Sequence, residues 1–165
     1  IMKIQLRLIV FSISVLIFAG CSNVRDASKP AEIAIEFRTT INENDQNGLK
    51  ELLGLPLLHI VQEWQSATDG SGFVLGERKI TRIARSEDLA KFASQLSMKV
   101  DIEGEEAIPV ASSEFSNFST EFGDTLNVWT QLDVYLFKRG EGDVEHIVVI
   151  GIDPKNKKIK AIYIN

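Results

Sequence analysis

Reactive groups are scarce in this chain. It has one cysteine, Cys21, and two histidines, His59 and His146, in 165 residues. The richest stretch for chemistry is 126–138, which alternates in character. Asn127, Trp129, Gln131, Asp133, Tyr135 and Phe137 interleave aromatic with polar side chains, while Leu126, Val128, Leu132, Val134 and Leu136 form an aliphatic set. On a strand, the first set could line a ligand pocket, since pockets are mostly apolar with a few polar groups that fix orientation. It could equally be a solvent-facing or partner-facing side whose aromatics serve strand propensity. The aliphatic face has the stronger claim to the core. Asp133 is the carboxylate best placed as a general base. Buried among Trp129 and Tyr135 its pKa would rise by desolvation; exposed, it is an ordinary carboxylate.

His59 precedes Glu63 by four residues. If that stretch is helical the two share a face and could act as a base with its orienter, or form a plain structural pair. Trp64 lies beside them. His146 alternates with Val144 and Val148, the setting of a structural histidine on a strand. The catalytic candidates are therefore Asp133, His59 and Tyr135; the ligand-lining candidates are Trp64, Trp129, Gln131, Tyr135 and Phe137. No His-x3-His or Cys-x2-Cys spacing occurs, so no metal is expected. No phosphate-cradling glycine motif or Gly-x-Ser-x-Gly elbow occurs, and no cofactor is expected. Lys155, Lys157, Lys158 and Lys160 make a basic patch that could meet phospholipid heads or an acidic partner; a solvated turn gives the same pattern.

The elements that must position these residues are read from periodicity. Pro30 opens a first helix, with Ile33, Phe37 and Ile41 at four-residue spacing and Ala34 beside them. Asp45 caps a second helix over 46–53, and Gly54 suits a left-handed stop after it. Pro56 opens a third helical piece, 57–65, with Leu57, Ile60, Val61 and Trp64 at helical spacing. Residues 67–72 are a turn, and 73–84 are extended. Ser86 caps a helix over 87–97 whose buried face is Leu89, Phe92, Ala93 and Leu96. Residues 98–102 and 107–111 read as short strands, and 112–124 carry no clear pattern. Strands over 126–138, 144–153 and 159–164 are joined by short links and must be antiparallel neighbours. Helices in front and a strand meander behind predict an α+β fold, with the helices packed on one face of a curved, mainly antiparallel sheet.

The N-terminus carries a different signal. Lys3 and Arg7 precede an apolar run from Leu8 to Phe18, and Ala19 and Gly20 are small. The run is shorter than the roughly 20 residues a spanning helix needs, so residues 1–20 read as a cleaved signal peptide. Ile17-Phe18-Ala19-Gly20-Cys21 resembles the lipobox of bacterial lipoproteins, with Phe18 in place of the usual Leu. The resemblance implies acylation of Cys21 and attachment to a membrane through that lipid. Ser22 after the cysteine implies the outer membrane, facing the periplasm, in the bacterial cell envelope. Residues 21–29 then form a lipidated tether, and 30–165 one α+β domain. Cleavage removes Lys3 and Arg7 and no acid, moving the formal charge from −5 to −7. So acidic a chain is a poor match for nucleic acid.

The order of parts in residues 30–165 also resembles the nuclear transport factor 2-like superfamily, the cystatin-like α+β cone. The parts are the opening helix Ile33–Ile41, the Asn44-Asp45 break, the short Leu49–Leu53 helix and the closing meander that ends in Lys158 to Asn165. The resemblance implies a conical pocket between helices and sheet, and a homodimer built through the sheet. It carries no catalytic motif to a numbered position. The first expectation is a non-enzymatic binding or scaffold lipoprotein for a small apolar ligand or an envelope protein. An isomerase or cyclase with Asp133, His59 or Tyr135 inside the cone is the alternative, and requires those side chains to converge in one cavity. An inhibitor or immunity-type protein is the third, and requires a large apolar patch on the outer sheet face.

Overall fold

A computed structural model describes residues 28–102, 106–139 and 145–165. The expected signal peptide, Cys21 and the tether as far as residue 27 lie outside these residues. Helix α1 (Ser28–Asn42) buries Ala34, Phe37 and Ile41 along one stripe. In α2 (Gln46–Leu52), Asp45 Oδ1 accepts from Gly48 N–H at 3.0 Å and satisfies one of the first-turn donors. Helix α3 (Ser86–Lys99) buries Leu89, Phe92, Ala93 and Leu96, as the periodicity predicts. Glu87 and Asp88 sit in its first turn, where they complement the helix dipole.

Among the described residues six strands form one sheet: β1 (Leu53–Ser66), β2 (Phe73–Ile83), β3 (Ile108–Val110), β4 (Asp133–Lys138), β5 (Ile147–Ile152) and β6 (Ile159–Ile164). Their spatial order is β2-β1-β6-β5-β4-β3, and only the β1–β6 pair is parallel. The meander β4–β5–β6 follows the expected short links. α1, α2 and α3 cover one sheet face. Leu57, Ile83, Phe137, Val148, Ile150, Ile162 and Ile164 point toward them and form a common core with Phe37, Leu49 and Leu96. This is the expected α+β class, helices on one face of a mainly antiparallel sheet.

The other face is covered as well. Residues 112–129 fold into short helical turns over it, and Phe115, Phe122 and Trp129 pack there with Leu58, Ile60, Val134, Val149, Ala161 and Tyr163. The sheet is thus the middle layer of three, and this face does not present the open apolar patch that the inhibitor reading requires. Exposed large apolar side chains on the sheet are instead Phe73, Val74 and Ile80 on β2 and Ile108 on β3, the two edge strands.

Four sequence expectations give way here. The predicted helix over 57–65 is strand β1. Leu57 faces one core while Leu58 and Ile60 face the other, and a strand buried on both sides shows a continuous apolar run that mimics a buried helix. Gly54 is not a left-handed stop. It lies at the start of β1, where a Cβ would come within 2.6 Å of Lys158 Cβ, so close approach of the β6 end requires glycine. The strand predicted over 98–102 is partly helix, because α3 runs on to Lys99. The strand predicted over 126–138 begins only at Asp133; Leu126–Trp129 is a helical turn. Phe115, Phe118, Phe122, Leu126 and Trp129 recur at three- and four-residue spacing, and this helical period overrides the local alternation.

Candidate functional site

The helical cover does not reach the whole sheet. Beyond His59 on β1, the second half of α3 stands off the strand and leaves a cavity of about 560 Å³. From β1 it is lined by His59, Val61, Glu63 and Trp64; from α3 by Phe92, Gln95, Leu96 and Lys99. Arg139 and His146, flanking the β4–β5 turn, close one side with Ile164 and Asn165 from the end of β6. The size falls within the roughly 300–1,000 Å³ of ordinary small-molecule sites.

The strand period explains the wall. His59, Val61 and Glu63 alternate onto the helix-covered side, and their cross-strand neighbours Thr81 and Lys79 lie beside them on β2. His59 and Glu63, four residues apart on a strand, are separated by about 13 Å rather than stacked on one helix turn. They share the cavity without forming the expected pair.

His59 stacks obliquely on Phe92, ring centroids 4.6 Å apart at 60°. Its Nε2 is buried and has no hydrogen-bond partner among the described residues. Burial, and secondarily the positive charge of Lys79, lower its pKa to about 4, so the imidazole is neutral near pH 7. A neutral imidazole with an unused nitrogen can donate to or accept from a ligand oxygen. Trp64 is pinned by its indole, which donates to Glu145 O at 3.1 Å and ties the far end of β1 to the start of β5. Arg139 Nη1 donates to Asn165 O at 3.1 Å, and His146 Nδ1 lies 3.3 Å from the same oxygen. Asn165 Oδ1 accepts from Ile147 N–H at 2.6 Å, so this side of the cavity is a hydrogen-bonded cluster.

Two of the sequence candidates, His59 and Trp64, line this cavity; the others do not. Asp133 is half-buried at the start of β4. Tyr135 and Phe137 are buried on the helix-covered face, Phe137 against Phe37 at 6.1 Å. The Tyr135 phenol is held above its ordinary pKa by burial and then by Asp133. Trp129 lies across the sheet from both, fully buried and stacked on Phe122 at 4.2 Å and 6°. Gln131 is exposed, and its Nε2 donates to Asn127 O at 3.1 Å. The three catalytic candidates therefore do not converge. Trp129 and Tyr135, expected on one face, are parted because Trp129 is helical.

Sequence reasoning missed Phe92 and Leu96, which it read as plain core, and Gln95, Lys99 and Arg139. The available signal was on α3. Gln95 and Lys99 flank the apolar stripe four residues apart, which puts polar groups at the margin of a buried face. Of the basic patch, Lys158 Nζ donates to Glu51 O and Lys160 Nζ to Leu55 O, so two of its four amines serve the α2–β1 junction. Among the described residues no group of three His, Cys, Asp or Glu side chains could hold a metal, and no helix is long and apolar enough to cross a membrane.

No protein-family model and no curated protein matches the chain. The chain is similar to solved NTF2-like and cystatin-like structures. One is an NTF2-like protein of unknown function from Cytophaga hutchinsonii, at 7% identity over 82% of this chain and 88% of that one, TM-score 0.43. Another is a protein of unknown function with cystatin-like fold from Methylobium petroleophilum, at 9% identity over 84% and 75%, TM-score 0.43. A third is a computationally designed 17-OHP binder, at 15% identity over 82% and 89%, TM-score 0.43. The fold class rests on the chain's own strand order and layering.

Proposed function

We propose that this chain is a non-enzymatic binding module that takes a small, largely apolar ligand in the cavity between α3 and β1, and that it works as a lipoprotein of the bacterial cell envelope. The observation that carries the binding half is the buried, unpartnered Nε2 of His59 in a cavity walled by Phe92, Leu96, Val61 and Ile164. A buried polar atom without a partner costs about 1–3 kcal/mol, which a ligand oxygen can recover. The apolar wall supplies the rest by excluding water. Against an isomerase or cyclase stands the separation of Asp133 and Tyr135 from His59: of the other acids and bases that line the cavity, Glu63 and Lys99 are exposed and His146 has its Nδ1 3.3 Å from Asn165 O, so the expected catalytic set is not assembled there.

The envelope half is supported by the run Ile17 to Cys21 and by the apolar segment before it. Acylated Cys21 would face the periplasm on the outer membrane, leaving the cavity free for a ligand or for an envelope partner that delivers one. Two acyl chains or more make such attachment stable.

One experiment reads both halves. The protein is extracted from a bacterial membrane fraction and weighed intact, first under denaturing and then under native conditions. The expected result is a mass beginning at acylated Cys21, with a small molecule retained only in the native spectrum and lost from the Leu96→Trp variant, whose larger side chain fills the cavity. A bare polypeptide would remove the lipoprotein reading. An acylated protein without any small molecule, with Leu96→Trp indistinguishable from it, would remove the binding reading.

A further inference from the structure

Resting on that binding reading, the charge around the cavity narrows the ligand class: we infer that it is an amphiphilic organic anion, with its apolar body against Phe92 and Leu96 and its anionic head between Lys79 and Lys99.

The chain as a whole is acidic, with 23 carboxylates against 18 lysines and arginines. The cavity reverses that sign. A second hollow adjoins it and shares His59, Val61, Phe92 and Lys99, so the two form one groove along α3. Lys79, Arg82, Lys91, Lys99 and Arg139 stand around this groove against two carboxylates, Glu63 and Asp88. Asp88 is already engaged, since its Oδ2 accepts from Arg85 Nε at 2.8 Å. Lys79, Lys91 and Lys99 form no ion pair among the described residues. A cleft lined by one sign of charge with low-dielectric walls concentrates ligands of the opposite sign.

The groove also orders the two ends of such a ligand. Its floor, Phe92 and Leu96, is buried, whereas Lys79 and Lys99 are exposed at the rim. Lys79 lies opposite Val61, two residues along the ladder from the His59–Thr81 pair and therefore on the same sheet face. An oxygen placed between Lys79 and the imidazole can therefore take an N–H from His59, in its Nε2–H tautomer, as well as the ammonium charge. A neutral apolar ligand would satisfy the floor and leave the rim lysines without a counter-charge. A free inorganic anion would do the reverse.

The test uses two probes of nearly one shape, titrated by fluorescence into the folded protein at low salt. 8-Anilinonaphthalene-1-sulfonate carries the anionic head, and N-phenyl-1-naphthylamine lacks it. The sulfonate is expected to bind at least about tenfold more tightly, the effect of roughly 1.4 kcal/mol. Lys79→Met and Lys99→Met, both at exposed positions, should each weaken the sulfonate severalfold and leave the neutral probe within about twofold, and Leu96→Trp should block both. Equal binding of the two probes, unmoved by the lysine substitutions but blocked by Leu96→Trp, would overturn the anion class and leave the binding reading standing. Failure of both probes to bind, or binding that Leu96→Trp does not touch, would overturn the binding reading and this inference with it.

Discussion

The two faces of the sheet are covered in different ways. α1, α2 and α3 cover one face with regular helices, whose backbone groups are satisfied internally and whose side chains need only fill the space beneath. Residues 112–129 cover the other with short turns held by side chains. Phe118, Phe122 and Trp129 stack in series, with Phe118–Phe122 at 5.4 Å and Phe122–Trp129 at 4.2 Å. Thr125 Oγ1 donates to Phe122 O at 2.6 Å and accepts from Trp129 Nε1 at 3.3 Å. Regular helices are straight and the sheet curves, so their cover lifts away at one end and leaves the cavity beside His59. The irregular segment follows the sheet closely, and even its polar neighbours are enclosed: Tyr163 Oη donates to Gln62 Oε1 at 3.4 Å, and Gln62 Nε2 donates to Gly76 O at 2.8 Å. Rigid cover leaves a cavity; adaptable cover closes the space.

The largest expected effect tests the side-chain dependence of the irregular face. Trp129→Ala should lower stability by about 3–5 kcal/mol, the usual cost of truncating a fully buried large aromatic. Phe37→Ala, equally buried under α1, should cost a similar amount. The two should differ in kind. Trp129→Ala should release amides across 112–129 to rapid hydrogen exchange at denaturant concentrations where the sheet is still protected. Phe37→Ala should lower the protection of α1 and the sheet together. If exchange over 112–129 in Trp129→Ala stays as slow as in the parent protein, the distinction between the two covers is wrong.

The same contrast explains what could be read from the sequence. α1, α2 and α3 were legible because each buries one face and its period is clean: Ile33, Phe37 and Ile41 for α1; Leu89, Phe92, Ala93 and Leu96 for α3. The β4–β5–β6 meander, buried on both faces, was legible from the short links between its extended runs. β1 was misread because burial on both sides erases its alternation, as it does in β5, and because Pro56 and the spacing of Leu57, Ile60, Val61 and Trp64 imitate a helix. Residues 112–132 were illegible because their conformation is set by what lies under them. Val134 and Leu136 continue an alternation that Leu126 and Val128 had begun in a different conformation. Of the cavity, the sequence supplied His59 and Trp64 but assembled them with Asp133 and Tyr135, since a wrong period for β1 leaves no way to know which neighbours His59 meets. Lys79 could be brought beside it only by the β1–β2 register.

A second prediction concerns the unequal chemistry of the two faces. His59 titrates at about 4 in the folded chain and near 6.5 when unfolded. Between these values the unfolded state holds the extra proton, so stability is complete above about pH 6.5 and falls as the pH drops toward 4. At roughly 1.4 kcal/mol per pH unit the loss is at most about 3 kcal/mol, and solvent at the cavity reduces it. Lys79 from β2 and Lys91 and Lys99 from α3 oppose protonation, and Glu63 on β1 favours it. Carboxylates elsewhere titrate in the same range, so the measurement is a difference: urea midpoints from pH 7 to 4 for the parent and for His59→Leu. The variant should show the shallower decline. Parallel curves would mean that His59 is open to water, and the cavity would lose its unsatisfied nitrogen.

The smallest effect lies on the helical side, where a single local signal is separable from packing. Asp45 is exposed and makes one contact that matters, the 3.0 Å acceptance from Gly48 N–H that starts α2. Asp45→Ala should cost about 1 kcal/mol, and Asp45→Asn, which keeps a capping oxygen, only a few tenths. In a chain of this size a loss of that order moves Tm by about 2–4 °C, well within calorimetric resolution. The reason for so modest a cost is the burial of Leu49 and Leu52 at the foot of α2, which holds the helix down when its cap is gone. The turns of 112–129 have less of this support: Ser112–Phe118 starts from Ala111, whose N–H donates to Glu114 Oε2 at 2.9 Å, and the turns after it start from Phe118, Phe122 and Thr125 with no side-chain cap bond. If Asp45→Ala destabilised as much as Trp129→Ala, α2 would depend on its end as completely as the irregular segment depends on its aromatic stack, and the two covers would not differ in the way their geometry requires.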